Sequence, residues 1–141
     1  MRTWRSSFAR TIKVKYTMQM DYEGSSFKSV WKDGLLRIRA YRLESDTFDL
    51  MGIILDAAIE QEEFKLAWDL RDMEPVSVRQ MWSVISFGTK IQPKLHGAVT
   101  ASSILVSPKY EKTLRFILKY AGPSSPCYVG TDAHEAKRFL S

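Results

Sequence analysis

At 141 residues the chain has the length of one domain with one core. Its 45% apolar and 26% charged content are ordinary for a soluble globular protein, and no apolar run approaches the ~20 residues that span a bilayer. A single cysteine, Cys127, excludes an internal disulfide and fits a reducing, cytoplasmic setting. With only two distant histidines, His96 and His134, it leaves no Cys/His metal site.

The net charge of +5 is unevenly placed. Residues 1–20 carry Arg2, Arg5, Arg10, Lys13 and Lys15 and no acid. Of 21 bases and 16 acids in all, 16 bases and 16 acids remain for residues 21–141, which sum to zero. A nucleic-acid-binding domain needs its basic patch on the folded body, so no nucleic acid is expected as a partner of the domain.

Residues 1–26 read as a basic, disordered arm closing on Gly24-Ser25-Ser26. Its Arg/Ser-rich, acid-free start has some transit-peptide character, which allows organellar targeting. Met18 or Met20 offers an alternative start, and the loose alternation of Thr11 to Met20 an edge strand. The folded domain is expected over 27–141.

Phe27–Trp31 and Leu35–Tyr41 read as strands joined by Asp33-Gly34, a hairpin turn signal because Gly accepts positive φ. In the second strand Leu36, Ile38 and Ala40 alternate with Arg37, Arg39 and Tyr41, so one face is buried and one is wet. Ser45-Asp46-Thr47 caps a helix that repeats Phe48, Met51, Ile54, Leu55, Ala58 and Ile59 and is expected to run to about Glu62. Its acidic end, Glu60, Glu62 and Glu63, opposes the helix dipole and calls for a basic neighbour.

Phe64–Leu70 reads as the central strand, apolar on both faces as if covered by helices, with Trp68 buried. After a polar loop, Ser77 and Gln80 form a capping box. Val78, Met81, Trp82 and Ile85 make the expected inward stripe of the next helix. Phe87 falls on the far side, and Pro93 stops the helix. Ala101–Ser107 is a strand, and Ser107-Pro108 starts a helix that buries Tyr110, Leu114, Ile117, Leu118 and Ala121. Lys112, Arg115 and Lys119 line its opposite side, and Gly122-Pro123 ends it. Cys127–Val129 is a last strand. Asp132 caps a final helix docked through Ala136, Phe139 and Leu140.

The order is therefore β-β-α-β-α-β-α-β-α. The fold class is α/β, with a single mixed, mostly parallel sheet and an N-terminal antiparallel hairpin.

No Gly-rich nucleotide loop and no nucleophile elbow is present, so no cofactor is expected. Neither histidine has a sequence-evident Ser or Cys partner, and Cys127 reads as a small core residue. Asp69, Asp72 and Glu74 cluster in the central loop. Arg71 among them and the following helix N-terminus account for that acidity without a metal. The stripe Lys112, Arg115, Lys119 is a candidate anion or lipid contact, hence a weak membrane-surface contact, beside the simpler reading of a solvated face.

These elements resemble a STAS domain, the fold of bacterial anti-sigma-factor antagonists and of sulfate-transporter tails. The matching features are a strand ending in Asp69-Leu70, a polar loop and a serine-capped helix. Ser102-Ser103-Ile104-Leu105-Val106 before a helix is a second match. The close Asp132-Ala133-x-Glu135-Ala136-x-x-Phe139-Leu140 is similar to the family's D-x-x-x-A-x-x-x-L ending. The resemblance spans about 27–140.

It implies a non-enzymatic regulatory module whose partner is another protein. It also implies a phosphosite on the serine opening the helix after the central strand, here Ser77. The family's Asp-Ser-small-Gly run is replaced by Pro75-Val76-Ser77-Val78-Arg79, and capping alone also accounts for Ser77. Candidate partner-docking residues are Arg71, Asp72, Glu74, Arg79 and Phe87. The alternative is a carrier of a lipid or small hydrophobic ligand, as in STAS relatives shaped like CRAL-TRIO domains. Its candidate pocket residues are Met51, Met81, Trp82 and Phe87, the first three also read as packed core.

Overall fold

Alternation of side chains organises the first half of the sheet. The computed structural model describes residues 20–61 and 63–141. Strand β1 (Tyr22–Glu23) pairs antiparallel with β2 (Phe27–Lys32), and β2 with β3 (Leu35–Ala40). Asp33 at φ 53° and Gly34 at φ 75° turn between β2 and β3, the positive pair that fits the right-handed twist of a two-residue hairpin. Phe27 and Ser29 of β2, with Leu36, Ile38 and Ala40 of β3, are buried, whereas Val30, Arg37 and Arg39 are exposed.

From β3 onward the sheet is parallel. Helix α1 (Thr47–Ile59) leads to β4 (Phe64–Asp69), α2 (Val78–Leu95) to β5 (Val99–Leu105), and α3 (Glu111–Ala121) to β6 (Cys127–Gly130). Helix α4 (Ala133–Leu140) closes the chain. The strand order is β1-β2-β3-β4-β5-β6, so each parallel crossover steps one strand over in the same direction. One core joins Leu36, Ile38, Phe64 and Leu66 to Met51 and Leu55 of α1 and to Ile91 and Leu95 of α2. A smaller one joins Ile104 and Val106 to Leu114 of α3.

Among the described residues the other sheet face carries only α4, seated on β5 and β6 through Ala136 and Leu140. The Lys65 ammonium donates to the Leu140 carbonyl at 2.6 Å, a cation on the negative end of α4. Among the described residues the central strand is thus covered by helices on one face: Phe64 and Leu66 face the helices, while Ala67 and Asp69 line a groove on the other. Trp68 is half-buried between the two cores.

The ordered fold begins before residue 27. Met20 is 0% exposed and its carbonyl accepts the Ser29 hydroxyl at 2.6 Å. Tyr22 lies against Phe27 with ring centroids 4.9 Å apart, and the Ser26 carbonyl accepts the Tyr41 N–H at 2.8 Å. The remaining expectations for the arm, at residues 1–19, lie outside the described residues.

Several boundaries differ from expectation. α1 ends at Ile59, and no side chain caps its start; instead the Thr47 hydroxyl accepts the Glu44 N–H at 2.8 Å. Within its last turn the Lys94 ammonium lies 3.5 Å from Asp56, which is not one of the three glutamates. α2 continues through Pro93 to Leu95. Proline in a last turn removes one hydrogen bond, and here the stop is a turn with Gly97 at φ 82° and the Ala98 N–H bonded to Leu95 O at 3.0 Å.

The inward stripe of α2 is also rotated. Ile85, Ile91 and Leu95 are buried, and Phe87 turns inward to stack on Phe48 at 4.8 Å. Val78 and Trp82 face out at 69% and 47% exposure. The helix has apolar residues around most of its girth, so periodicity permits two stripes. Phe48 and the close approach of Gly88 to Ala121 select one of them. In α4, Ala136 and Leu140 dock, but Phe139 stays 42% exposed beside Tyr128.

Candidate functional site

The loop after β4 sits where parallel strands end and a helix begins, the position at which open α/β sheets present their ligands. The Leu70 N–H bonds to Leu105 O at 2.8 Å and the Glu74 N–H to Tyr41 O at 2.8 Å, so both flanking segments hold the loop. Three arginine–carboxylate pairs then fix its charges. Arg71 grips Asp69 with Nε and a terminal nitrogen at 3.0 and 2.8 Å. Arg39 of β3 binds Asp72, and Arg42 Nε binds Glu74 at 3.1 Å. The Arg71 hydrogen bond holds the Asp69 carboxyl below its ordinary value of 3.8, against the opposing effect of partial burial. The acidic cluster therefore does not converge on one point: each carboxylate meets a different guanidinium. Among the described residues no three His, Cys, Asp or Glu side chains are grouped to hold a metal ion.

At the loop's end Ser77 is the N-cap of α2. Its hydroxyl accepts the Gln80 N–H at 3.1 Å, and the Gln80 side chain accepts the Ser77 N–H at 2.9 Å. This is the expected capping box, and it leaves Ser77 on the surface beside exposed Arg79. Arg71, Asp72 and Glu74 share that surface, whereas Phe87, three turns along and facing α1, does not.

Two concave regions adjoin this loop. A groove of about 520 Å³ crosses the open sheet face, floored by Val30, Leu35 and Ala67 and edged by Arg37, Arg71 and Lys137. Sequence reading missed it, although the alternation of Arg37 and Arg39 with buried residues signalled a wet face. An apolar cavity of about 150 Å³ lies between the sheet and α1–α3, lined by Phe48, Met51, Phe87, Ile91 and Leu114 among others. Of the four residues named for a ligand pocket, Met51 and Phe87 line it; Met81 and Trp82 do not.

Arg115 donates to Glu111 at 2.9 Å and leans to Val129 O at 3.4 Å, while Lys112 and Lys119 stay exposed. His96 Nδ1 lies 2.9 Å from Ser124 Oγ, a contact between sequence-distant surface residues that no motif announces. Partial burial pushes the Cys127 thiol up, away from the nucleophilic thiolate form.

No family model matches the sequence, and no curated protein matches it. Its fold does match a solved structure, an uncharacterised protein of the DUF3478 family with a SpoIIAA-like fold from Shewanella loihica PV-4. The TM-score is 0.58 at 15% identity, over 85% of this chain and 100% of that one. The chain thus has a SpoIIAA-like, that is STAS-like, α/β fold. No helix among the described residues is long and apolar enough to cross a membrane.

Proposed function

We propose that this chain is a non-enzymatic STAS-like interaction module of the cytoplasm that docks another protein on the loop after β4 and the first turn of α2. The observation that carries this reading is the loop itself. It is exposed, yet three guanidinium–carboxylate pairs and a capping box hold its shape. A surface fixed in advance loses little entropy on binding, which favours recognition of a folded partner. Arg71, Asp72, Glu74 and Arg79 supply its charge pattern, and Ser77 stands where a phosphate would change that pattern most. The test is isolation of the partner with the full chain, then affinity measurements on Ser77→Asp and Arg79→Glu. Both variants should lose partner binding without loss of melting temperature; wild-type affinity in both rejects the reading.

The apolar cavity favours a second reading, uptake of a small apolar ligand. At about 150 Å³ it is below the ~300–1,000 Å³ of common ligand sites, so it suits a ring compound better than a lipid chain. Dry apolar cavities of roughly this size take up benzene or xenon. Benzene should raise the melting temperature of wild type and not of a filled-cavity variant, Val84→Phe; an unchanged wild type rejects it.

A further inference from the structure

We propose that the outer face of α2 and α3 is a docking surface for an anionic lipid membrane. The first observation is an aromatic cluster on the outside of the molecule. Trp82 of α2 meets Phe116 and Tyr120 of α3, with ring centroids 6.0 and 5.8 Å away, and those two rings are 5.4 Å apart. Trp82 and Tyr120 remain 47% and 53% exposed, and Val78, one turn before Trp82, is 69% exposed. The core of α2 is built from other residues, Ile85, Ile91 and Leu95, so packing does not call for these rings. Tryptophan and tyrosine are the side chains that settle at a membrane–water boundary, with the ring in the apolar layer and the polar tip in the wet one.

The second observation is the charge around the cluster. Helix α2 contains Arg79, Lys90 and Lys94 and no acid. Helix α3 contains one acid, Glu111, already bonded to Arg115. Lys94 pairs with Asp56. Arg79, Lys90, Lys112 and Lys119 pair with no carboxylate among the described residues. Lys112, Phe116 and Tyr120 fall at i, i+4 and i+8, so cation and rings share one side of α3, with Lys119 beside them. Residues 21–141 hold 16 bases and 16 acids, so this local excess is segregation and not general basicity.

The type of free cation points to lipid over an acidic protein. Arginine, whose planar fork matches a single carboxylate, is represented in α3 by Arg115, and that group is taken. The free groups are mostly lysines. Lysine is depleted in protein interfaces but effective as a point charge against a diffuse anionic surface. Rings in the middle and cations at the flanks form an amphipathic helix-pair face suited to lying in the plane of such a surface.

The experiment is sedimentation of the full chain with phosphatidylcholine vesicles, with and without phosphatidylserine, at low and high salt. The wild type should bind only vesicles containing phosphatidylserine, and less so at high salt. Lys112→Gln with Lys119→Gln should weaken binding about 25-fold at unchanged melting temperature, and Trp82→Ala at least tenfold with only the small fall in melting temperature that loss of its two ring contacts brings. The five basic residues of 1–20 attract the same vesicles, so the variants carry the decision. Wild-type affinity in both variants assigns binding to that segment and overturns the proposal, as does no binding by wild type. Trp82-dependent binding of a glutamate-rich peptide without vesicle binding gives the face to an acidic protein and overturns it too. The proposal does not rest on protein docking at the loop after β4.

Discussion

Ser77 shows how little a single side chain must do to set a helix in place. Its hydroxyl and the Gln80 amide satisfy each other's neighbouring backbone N–H groups, two of the four that a helix start leaves open. Ser77→Ala should therefore lower unfolding free energy by about 1 kcal/mol in urea titration. Ser77→Asp should leave it near wild type, because aspartate caps as well and its charge suits the helix's positive end. Asp69 makes a pH prediction with a definite sign. Its folded-state pKa lies below the ordinary 3.8, so below that value the unfolded chain binds more protons. The Asp69–Arg71 contribution is then fully present above about pH 4 and is lost as pH falls through the depressed value. Asp69→Asn should be less stable than wild type at neutral pH, and the gap should close on acidification. A gap that stays constant down to acid pH would show that the ion pair contributes nothing.

Two glycines in helices separate local propensity from packing. Gly52 in α1 has open space where a Cβ would stand, so Gly52→Ala should stabilise by up to about 1 kcal/mol. A Cβ at Gly88 would stand 2.5 Å from the Ala121 Cβ, where α2 and α3 meet. Gly88→Ala should destabilise by about 1–3 kcal/mol, since the clash outweighs the same intrinsic gain. Paired thermal melts check both; stabilisation by Gly88→Ala would show that the helices slide apart freely. Contacts of this kind explain what the sequence could not display. The hairpin at Asp33-Gly34 and the caps at Ser77 and Asp132 are local, and they were legible residue by residue. The rotation of α2 was not, because Val78, Trp82, Ile85 and Phe87 offer competing apolar stripes and only Phe48 and Ala121, distant in sequence, decide between them. The loop after β4 was legible as a polar strand-to-helix connection, but its pairing was not. Arg39 and Arg42 come from another strand's end, more than 30 residues away.

At the scale of the molecule, the uneven charge and the edge of the sheet meet at one place in the chain, around residue 20. An acid-free basic start over residues 1–20 and the Gly24-Ser25-Ser26 close read as a tail, but a two-residue strand needs no sustained apolar period. Met20 and Tyr22 suffice, one fully buried and one against Phe27. A chain beginning at Ser26 loses both, strips β2 of β1, one of its two antiparallel neighbours, and leaves the Ser29 hydroxyl without the Met20 carbonyl. Removing a large buried side chain alone costs about 2–5 kcal/mol. The comparison that isolates this contribution is between chains beginning at Met20 and at Ser26. Both lack Arg2, Arg5, Arg10, Lys13 and Lys15, so their net charges differ by only the two acids Asp21 and Glu23. The longer chain should melt several degrees higher, with the larger denaturant slope expected when unfolding exposes more surface. Equal melts would mean that β1 adds nothing and that the folded unit starts at Phe27.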